Sequence, residues 1–242
     1  REGLPYVEQG IDDIVSRTWD FIIVGTGIGG GTLAYALAKA GRSVLMVEKG
    51  RSYLGAQDVL EGDWLEALVR RDGGPTSEDK WRAGRFADVL VDRSGATPRA
   101  LRPFLGSGIG GSSALYGMVM ERFFPSDFSP AQYFRNIPDH TVPEEWPITY
   151  EELDPYYSQA EAIYGVRATN DPLPPAREGR GISEPPPLTP ASRELVQRFE
   201  AKGLHPYRLP MACDYVEGCT ECIGYICKRR CKRDSALSCV EP

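Results

Sequence analysis

Asp20-Phe21-Ile22-Ile23-Val24-Gly25-Thr26-Gly27-Ile28-Gly29-Gly30 is the stretch that decides how this chain folds. Residues 20–24 form a short apolar run rich in β-branched side chains, as a buried parallel strand requires. Gly25-x-Gly27-x-x-Gly30 follows at once, and each glycine has a task. Gly25 permits a tight turn out of the strand. Gly27 lets backbone approach a pyrophosphate with no Cβ in the way. Gly30 lets a helix pack close to the sheet. The spacing predicts a glycine turn over residues 25–31 and a helix over 32–40, with Leu33, Ala34, Leu37 and Ala38 on one face and Gly41 closing it. Residues 44–48 read as a second strand, ending in Glu48.

Strand, turn, helix, strand and terminal acid occur in the order of a β-α-β dinucleotide-binding unit, so the fold class is α/β. The helix start offers free N–H groups and the positive end of its dipole to phosphates. The Glu48 carboxylate would accept hydrogen bonds from ribose hydroxyls and would repel the 2′-phosphate of NADP. The competing interpretation is a glycine-rich structural turn, which does not require the second strand or its acid. The motif alone does not choose between FAD and NAD.

The chain has 242 residues, enough for one large domain or two modest ones. Its 41% hydrophobic and 26% charged residues are an ordinary balance, and a formal net charge of −6 disfavours nucleic acid as a partner. No apolar run approaches the ~20 residues of a membrane span. The first residue is Arg1 and no signal-peptide pattern follows it. The compartment is left open, with a cytoplasmic location the leading expectation. The chain stops at Pro242 directly after a cysteine-rich stretch, and is expected to be a fragment or one chain of an assembly.

Residues 1–18 read as an N-terminal arm, and residues 51–104 are mixed and charged without a clear period. Thr149-x-x-Glu152 is a capping box whose helix should run to about Ile163. Residues 171–190 are proline-rich (Pro172, Pro174, Pro175, Pro185, Pro186, Pro187, Pro190) and read as an extended excursion. A last helix is expected from about Pro190 to Lys202, with Gly203 closing it.

A second glycine loop covers residues 106–128. It contains Gly110-Gly111-Ser112-Ser113, then Gly117-Met118, Arg122 and Pro125-x-Asp127-Phe128. With Trp146-Pro147, Tyr156-Tyr157 and Glu161 further on, this resembles the glucose–methanol–choline (GMC) family of flavin oxidoreductases over most of residues 19–240. The resemblance implies a Rossmann-type FAD-binding domain plus part of a GMC substrate-binding domain. Its expected division is an FAD-binding portion at 1–145, the start of the substrate domain at 146–208, and a cysteine-rich segment at 209–242 leading to a missing C-terminal half. It also implies FAD-dependent oxidation of a CH–OH group in a sugar or other alcohol, with hydride passing to flavin N5. Gly25, Gly27, Gly30, Glu48, Gly110, Gly111, Ser112, Ser113, Gly117 and Met118 would line the cofactor. Backbone N–H groups of the second loop would approach the diphosphate and the flavin edge.

Two departures from the family pattern matter. Tyr116 stands where many members have Asn before Gly-Met. Ala114 and Leu115 replace the His through which some members attach FAD, so non-covalent FAD is expected. The family's catalytic His lies in a more C-terminal part. Only His140 and His205 are present, neither in a matching motif, so both are expected to be structural and the base to come from the missing half, as a continuation or a second chain. An NAD-binding dehydrogenase fragment and a non-catalytic assembly subunit are the competing interpretations.

All six cysteines lie between Cys213 and Cys239, which argues for one local device rather than a general disulfide framework. Three interpretations stay open. Cys222-x4-Cys227-x3-Cys231 resembles, in spacing only, the three-iron cluster segment of membrane-linked sugar dehydrogenases in the family. Cys219, Cys222, Cys227 and Cys231 would also suit an iron–sulfur or structural zinc site. Local disulfides or free thiols are the third. The basic run Lys228-Arg229-Arg230, with Lys232 and Arg233, would offset thiolate charge, face a cofactor phosphate, or form a solvated face.

Overall fold

The computed structural model describes residues 10–53, 59–62, 65, 75–170 and 182–240. The first residues of the expected arm, and Pro172, Pro174 and Pro175 of the proline-rich stretch, lie outside the described residues. The chain divides into two compact units, Arg1–Met118 with Cys213–Pro242, and Val119–Ala212. These units cut the chain at other points than the linear boundaries at 145 and 208. The reason is packing: the cysteine-rich segment returns to the core of the first unit.

That unit opens with a short helix α1 (Ile11–Val15), then β1 (Phe21–Val24), α2 (Ile28–Lys39) and β2 (Val44–Val47). β1 and β2 pair in parallel with Phe21 opposite Val44 and Val24 opposite Val47. Asp20 and Ser43 clamp the strand entrances: the Ser43 N–H donates to the Asp20 carboxylate at 2.8 Å and the Asp20 N–H donates to the Ser43 hydroxyl at 3.0 Å. At the other end the Gly25 N–H reaches the Val47 carbonyl at 2.7 Å.

α2 starts at Ile28, four residues before the expected Thr32. Gly29, Gly30 and Gly31 are therefore helical, and Gly30 and Gly31 serve close approach rather than turning. A Cβ on Gly30 would run into the Gly25 carbonyl, and one on Gly31 into the Ser235 hydroxyl. The helix ends as the sequence predicts. Gly41 is left-handed (φ 74°), its N–H bonds to the Ala38 carbonyl, and the Arg42 N–H to that of Leu37, a Schellman closure.

Residues 51–104, without a period in sequence, hold α3 (Ser77–Arg82) and an antiparallel hairpin of β3 (Leu90–Asp92) and β4 (Arg99–Leu101). α3 begins in a capping box between Thr76 and Asp79. Tyr53, Ile109, Ala114, Leu115, Ile226, Ala236 and Val240 form the core, so both ends of the chain build it. The two-stranded sheet leaves Phe21, Ile22, Val24 and Val47 exposed, Val24 at 85%.

The second unit contains α4 (Tyr150–Ile163) and α5 (Pro190–Glu200). α4 has the expected limits and the Thr149–Glu152 capping box. α5 stops at Glu200, two residues short of Lys202, and Gly203 (φ 74°) completes the turn that follows. Phe123, Phe128, Trp146 and Tyr150 pack edge to face, with Phe128 and Trp146 tilted, at ring centroids 5.5–6.3 Å apart. Arg122 is buried beside them and is held by Glu161 and Asp154 from α4. Among the described residues no helix is long and apolar enough to cross a membrane.

Candidate dinucleotide site

The first glycine loop lies between the end of β1 and the start of α2. Gly25 is left-handed (φ 95°), a backbone state that favours glycine. Gly27 caps α2 without a side-chain acceptor, so the first-turn N–H groups of a twelve-residue helix carry no side-chain cap. A Cβ at Gly27 or Gly29 would meet no protein atom within 4 Å. Open space in front of free helix N–H groups is what a pyrophosphate needs. The chain's own residues therefore fit the expected cofactor at this loop.

The second glycine loop packs on the first. Gly108 (φ 119°), Gly110 (φ 87°) and Gly111 (φ 54°) are all left-handed. A Cβ on Gly111 would lie 3.2 Å from the Gly27 Cα, and one on Gly50 would collide with the Gly108 backbone. Only glycines allow three chain segments to approach this closely.

Thr26 joins these pieces, a role the sequence reading missed. Its side chain is buried; the hydroxyl donates to Glu48 Oε2 at 2.7 Å and accepts from the Gly110 N–H at 3.0 Å. The Thr26 N–H also donates to Glu48 Oε2, and the Gly50 N–H to Glu48 Oε1, each at 3.0 Å. Glu48 thus sits where expected but reaches back into the glycine turn. Burial opposes its charge; the Gly50 N–H, the Thr26 hydroxyl and the N–H groups of Thr26 and Gly108 outweigh that and hold its pKa below the ordinary value. A carboxyl depressed by folding stabilises fully above its unfolded pKa, roughly 4.3, and loses that contribution as pH falls through the lower folded value. Glu48→Gln is expected to flatten the acid limb of stability below about pH 4.3. Denaturation midpoints measured across that range check it; an unchanged limb would show that Glu48 titrates as a free carboxyl.

The two serines have partners within the protein. Ser112 is exposed and accepts from the Gly106 N–H at 3.0 Å. Ser113 is buried, donates to the Gly110 carbonyl at 2.6 Å and accepts from the Ser235 N–H at 2.9 Å. The Ser235 hydroxyl donates to the Thr26 carbonyl at 2.8 Å. Ser235, like Thr26, carried no sequence signal. A Cβ on Gly117 would lie in ordinary contact distance of Ile223. Met118 is 1% exposed and left-handed (φ 62°), so it sits inside the fold rather than at an open surface. The Tyr116 hydroxyl donates to the Arg233 carbonyl at 2.6 Å. Beyond β2, a shallow cleft is lined by Lys49, Gly50, Arg51, Trp81, Phe86 and Ser107.

In the second unit His140 packs on Phe134 at 6.2 Å between centroids, while His205 is exposed. Among the described cysteines the sulfurs form a chain: Cys213 to Cys219 at 3.7 Å, Cys219 to Cys231 at 3.4 Å, and Cys231 to Cys227 at 3.5 Å. Of the expected set of Cys219, Cys222, Cys227 and Cys231, three members lie in this chain of sulfurs. The Cys222 sulfur lies 3.5 Å from the Thr220 hydroxyl, and an antiparallel bridge pairs Cys213 with Lys232.

The comparisons with known proteins agree with this geometry. Residues 23–57 match the family described as NAD(P)-binding Rossmann-like domain. The chain is 30% identical to 6'''-hydroxyparomomycin C oxidase of Streptomyces lividus, over 88% of its own length and 34% of that protein. It is 26% identical to paromamine 6'-oxidase of Streptomyces fradiae, over 93% of itself and 38% of the relative. It is 30% identical to 2-methyl-1,2-propanediol dehydrogenase of Mycolicibacterium austroafricanum, over 77% and 32%. The fold is an α/β flavoprotein type with a Rossmann-like unit. The chain belongs to the GMC family of FAD-dependent oxidoreductases, whose N-terminal region it covers. It spans about a third of the length of these curated relatives.

Proposed function

We propose that this chain holds FAD non-covalently for an enzyme that removes hydride from a CH–OH group of a sugar or other polyhydroxylated alcohol. The observation that carries this is the meeting of two glycine loops at one helix start, with Glu48 beside them. Gly25, Gly27 and Gly30 would seat the pyrophosphate against α2. Glu48 would exchange part of its internal hydrogen bonding for the ribose hydroxyls. The cleft beyond β2 would take the adenosine end. Gly110 and Gly111 would bring backbone close to the flavin side, with Ser112, Ser113, Gly117 and Met118 shaping that loop. Bound flavin would supply the hydride acceptor; the chain's part is to bind, orient and shield it.

Residues 1–145 and the returning segment 209–242 would serve the cofactor, and residues 146–208 would begin the substrate domain. The base that takes the hydroxyl proton would come from the remainder of the protein, since neither His140 nor His205 lies in a motif matching the family's catalytic His. That remainder would also cover Phe21, Ile22, Val24 and Val47, which a two-stranded sheet leaves in water. Relatives named for paromamine and hydroxyparomomycin support a polyhydroxylated substrate.

An absorption spectrum of the complete protein, before and after anaerobic addition of sugar alcohols and aminoglycosides, tests the proposal. Flavin bands that bleach are expected, with free flavin released on acid precipitation. A colourless protein, or one carrying nicotinamide, would overturn it. Flavin left in the precipitate would overturn the non-covalent part.

A further inference from the structure

We propose that Cys213, Cys219, Cys227 and Cys231 bind a single zinc ion as four thiolates. Tetrahedral zinc holds sulfur at about 2.3 Å, which sets neighbouring ligand sulfurs roughly 3.8 Å apart. The separations of 3.7, 3.4 and 3.5 Å in the structure lie close to that edge. Cys213, Cys219 and Cys231 all lie within 4.8 Å of one another. Cys227 lies 3.5 Å from Cys231, outside that group of three, and would move toward the ion as its fourth ligand. An iron–sulfur cluster places several irons and sulfides between its thiolates and so spreads them much farther apart. This grouping suits one ion.

The backbone around the sulfurs is shaped for thiolate. The Tyr215 N–H donates to Cys213 Sγ and the Glu221 N–H to Cys219 Sγ, each at 3.4 Å and each two residues on from its cysteine. Both donors are non-glycine residues held left-handed at φ 50°, a state that costs free energy unless something repays it. Cys227 accepts backbone N–H groups of Lys232, Cys231 and Arg229. Such N–H···S bonds orient metal-bound sulfur and stabilise its charge.

The charge balance points the same way. Four thiolates with one divalent ion leave a double negative charge. Lys228, Arg229, Arg230, Lys232 and Arg233 cluster in the same short segment. Lys232 is completely buried, and its ammonium donates to the Ala114 and Tyr225 carbonyls at 3.0 Å. With Asp234 two residues on, a tetrathiolate would be a second negative group near this buried cation. The Asp214 N–H to Cys231 carbonyl bond at 2.8 Å ties the two cysteine-bearing limbs together. The ion would thus staple the segment that Ser235 anchors to the glycine loops, a structural part independent of the flavin.

Metal and acid-labile sulfide analysis of the complete protein grown with zinc tests this, and neither readout requires flavin or turnover. About one zinc per chain and no sulfide are expected. Cys213→Ser and Cys231→Ser should lose the metal, and Cys222→Ser should keep it. Should a serine variant not fold, cobalt(II) exchanged into the wild-type protein should give the visible spectrum of a tetrahedral tetrathiolate. Iron with sulfide, a metal-free protein with disulfides among these cysteines, or zinc kept by Cys213→Ser but lost by Cys222→Ser would each overturn the proposal.

Discussion

Replacing Arg122 with alanine is expected to destabilise the second unit by about 3–5 kcal/mol. Arg122 and Glu161 have side chains only 2% and 4% exposed. The guanidinium meets the carboxylate as a fork, Nε to Oε1 and a terminal nitrogen to Oε2, both at 2.6 Å. It also donates to Asp154 at 2.5 Å and Ser158 at 3.1 Å, and lies 5.2 Å from the Tyr157 ring centre. Burial alone would lower the arginine pKa, but the Glu161 and Tyr150 partners reverse that and keep it charged at any working pH. Truncation would leave the Glu161 charge in a dry site with no partner, which is where the cost arises. Lysine should not rescue it, because one ammonium does not reproduce the fork. Changing both residues, as Arg122→Met with Glu161→Leu, should recover much of the loss. Urea denaturation of the single and double variants measures this. A single-variant loss under about 1 kcal/mol would mean the pair behaves as a solvated surface bridge.

Gly30→Ala should impair both stability and flavin binding, whereas Gly27→Ala should impair binding alone. The added methyl at Gly30 strikes the Gly25 carbonyl and, 3.2 Å away, the Ile23 side chain. The start of α2 must shift, at a cost of about 1–3 kcal/mol. Passed on to the cofactor, that is about a 5- to 150-fold loss of affinity. Gly27 has extended backbone (φ −61°, ψ −178°) that alanine adopts freely, and its Cβ would point into open space. Without cofactor the alanine costs little; with it, the methyl occupies the path of the pyrophosphate. Thermal unfolding without flavin, together with flavin titration, separates the two effects. Equal losses of stability in both variants would refute the assignment of that space to a ligand.

What the sequence made legible was local. Gly25, Gly27, Gly41 and Glu48 constrain the chain within a few residues, so the β-α-β unit and its Schellman closure could be read from spacing. The same glycines misled at the start of α2. A glycine run suggests a turn, while Gly30 and Gly31 are there because Gly25 and Ser235 press against the helix. Partners far apart in the chain left no period to detect. Thr26 with Gly110, Ser235 with Thr26, and Tyr53 with Asp234 are such pairs. Among the cysteines, spacing favoured the shortest intervals and so included Cys222. The backbone bridge between Cys213 and Lys232, which brings Cys213 beside that segment, has no signal in the spacing. Arg122 and Glu161 were visible individually through the family resemblance; that they form one buried pair was not.

The first unit's core has a consequence for how the protein is made. Tyr53, Ile109 and Leu115 pack with Ile226, Ala236 and Val240. A ribosome delivers the whole of Val119–Ala212 before those last partners exist. The nascent β-α-β unit must therefore wait with apolar surface uncovered while α4 and α5 are synthesised. The inserted unit has its ion pair and helix caps complete within its own span and can order first. Closing the core then joins residues more than a hundred positions apart, a late and slow step by the logic of loop entropy, and a point at which chaperones would find this chain.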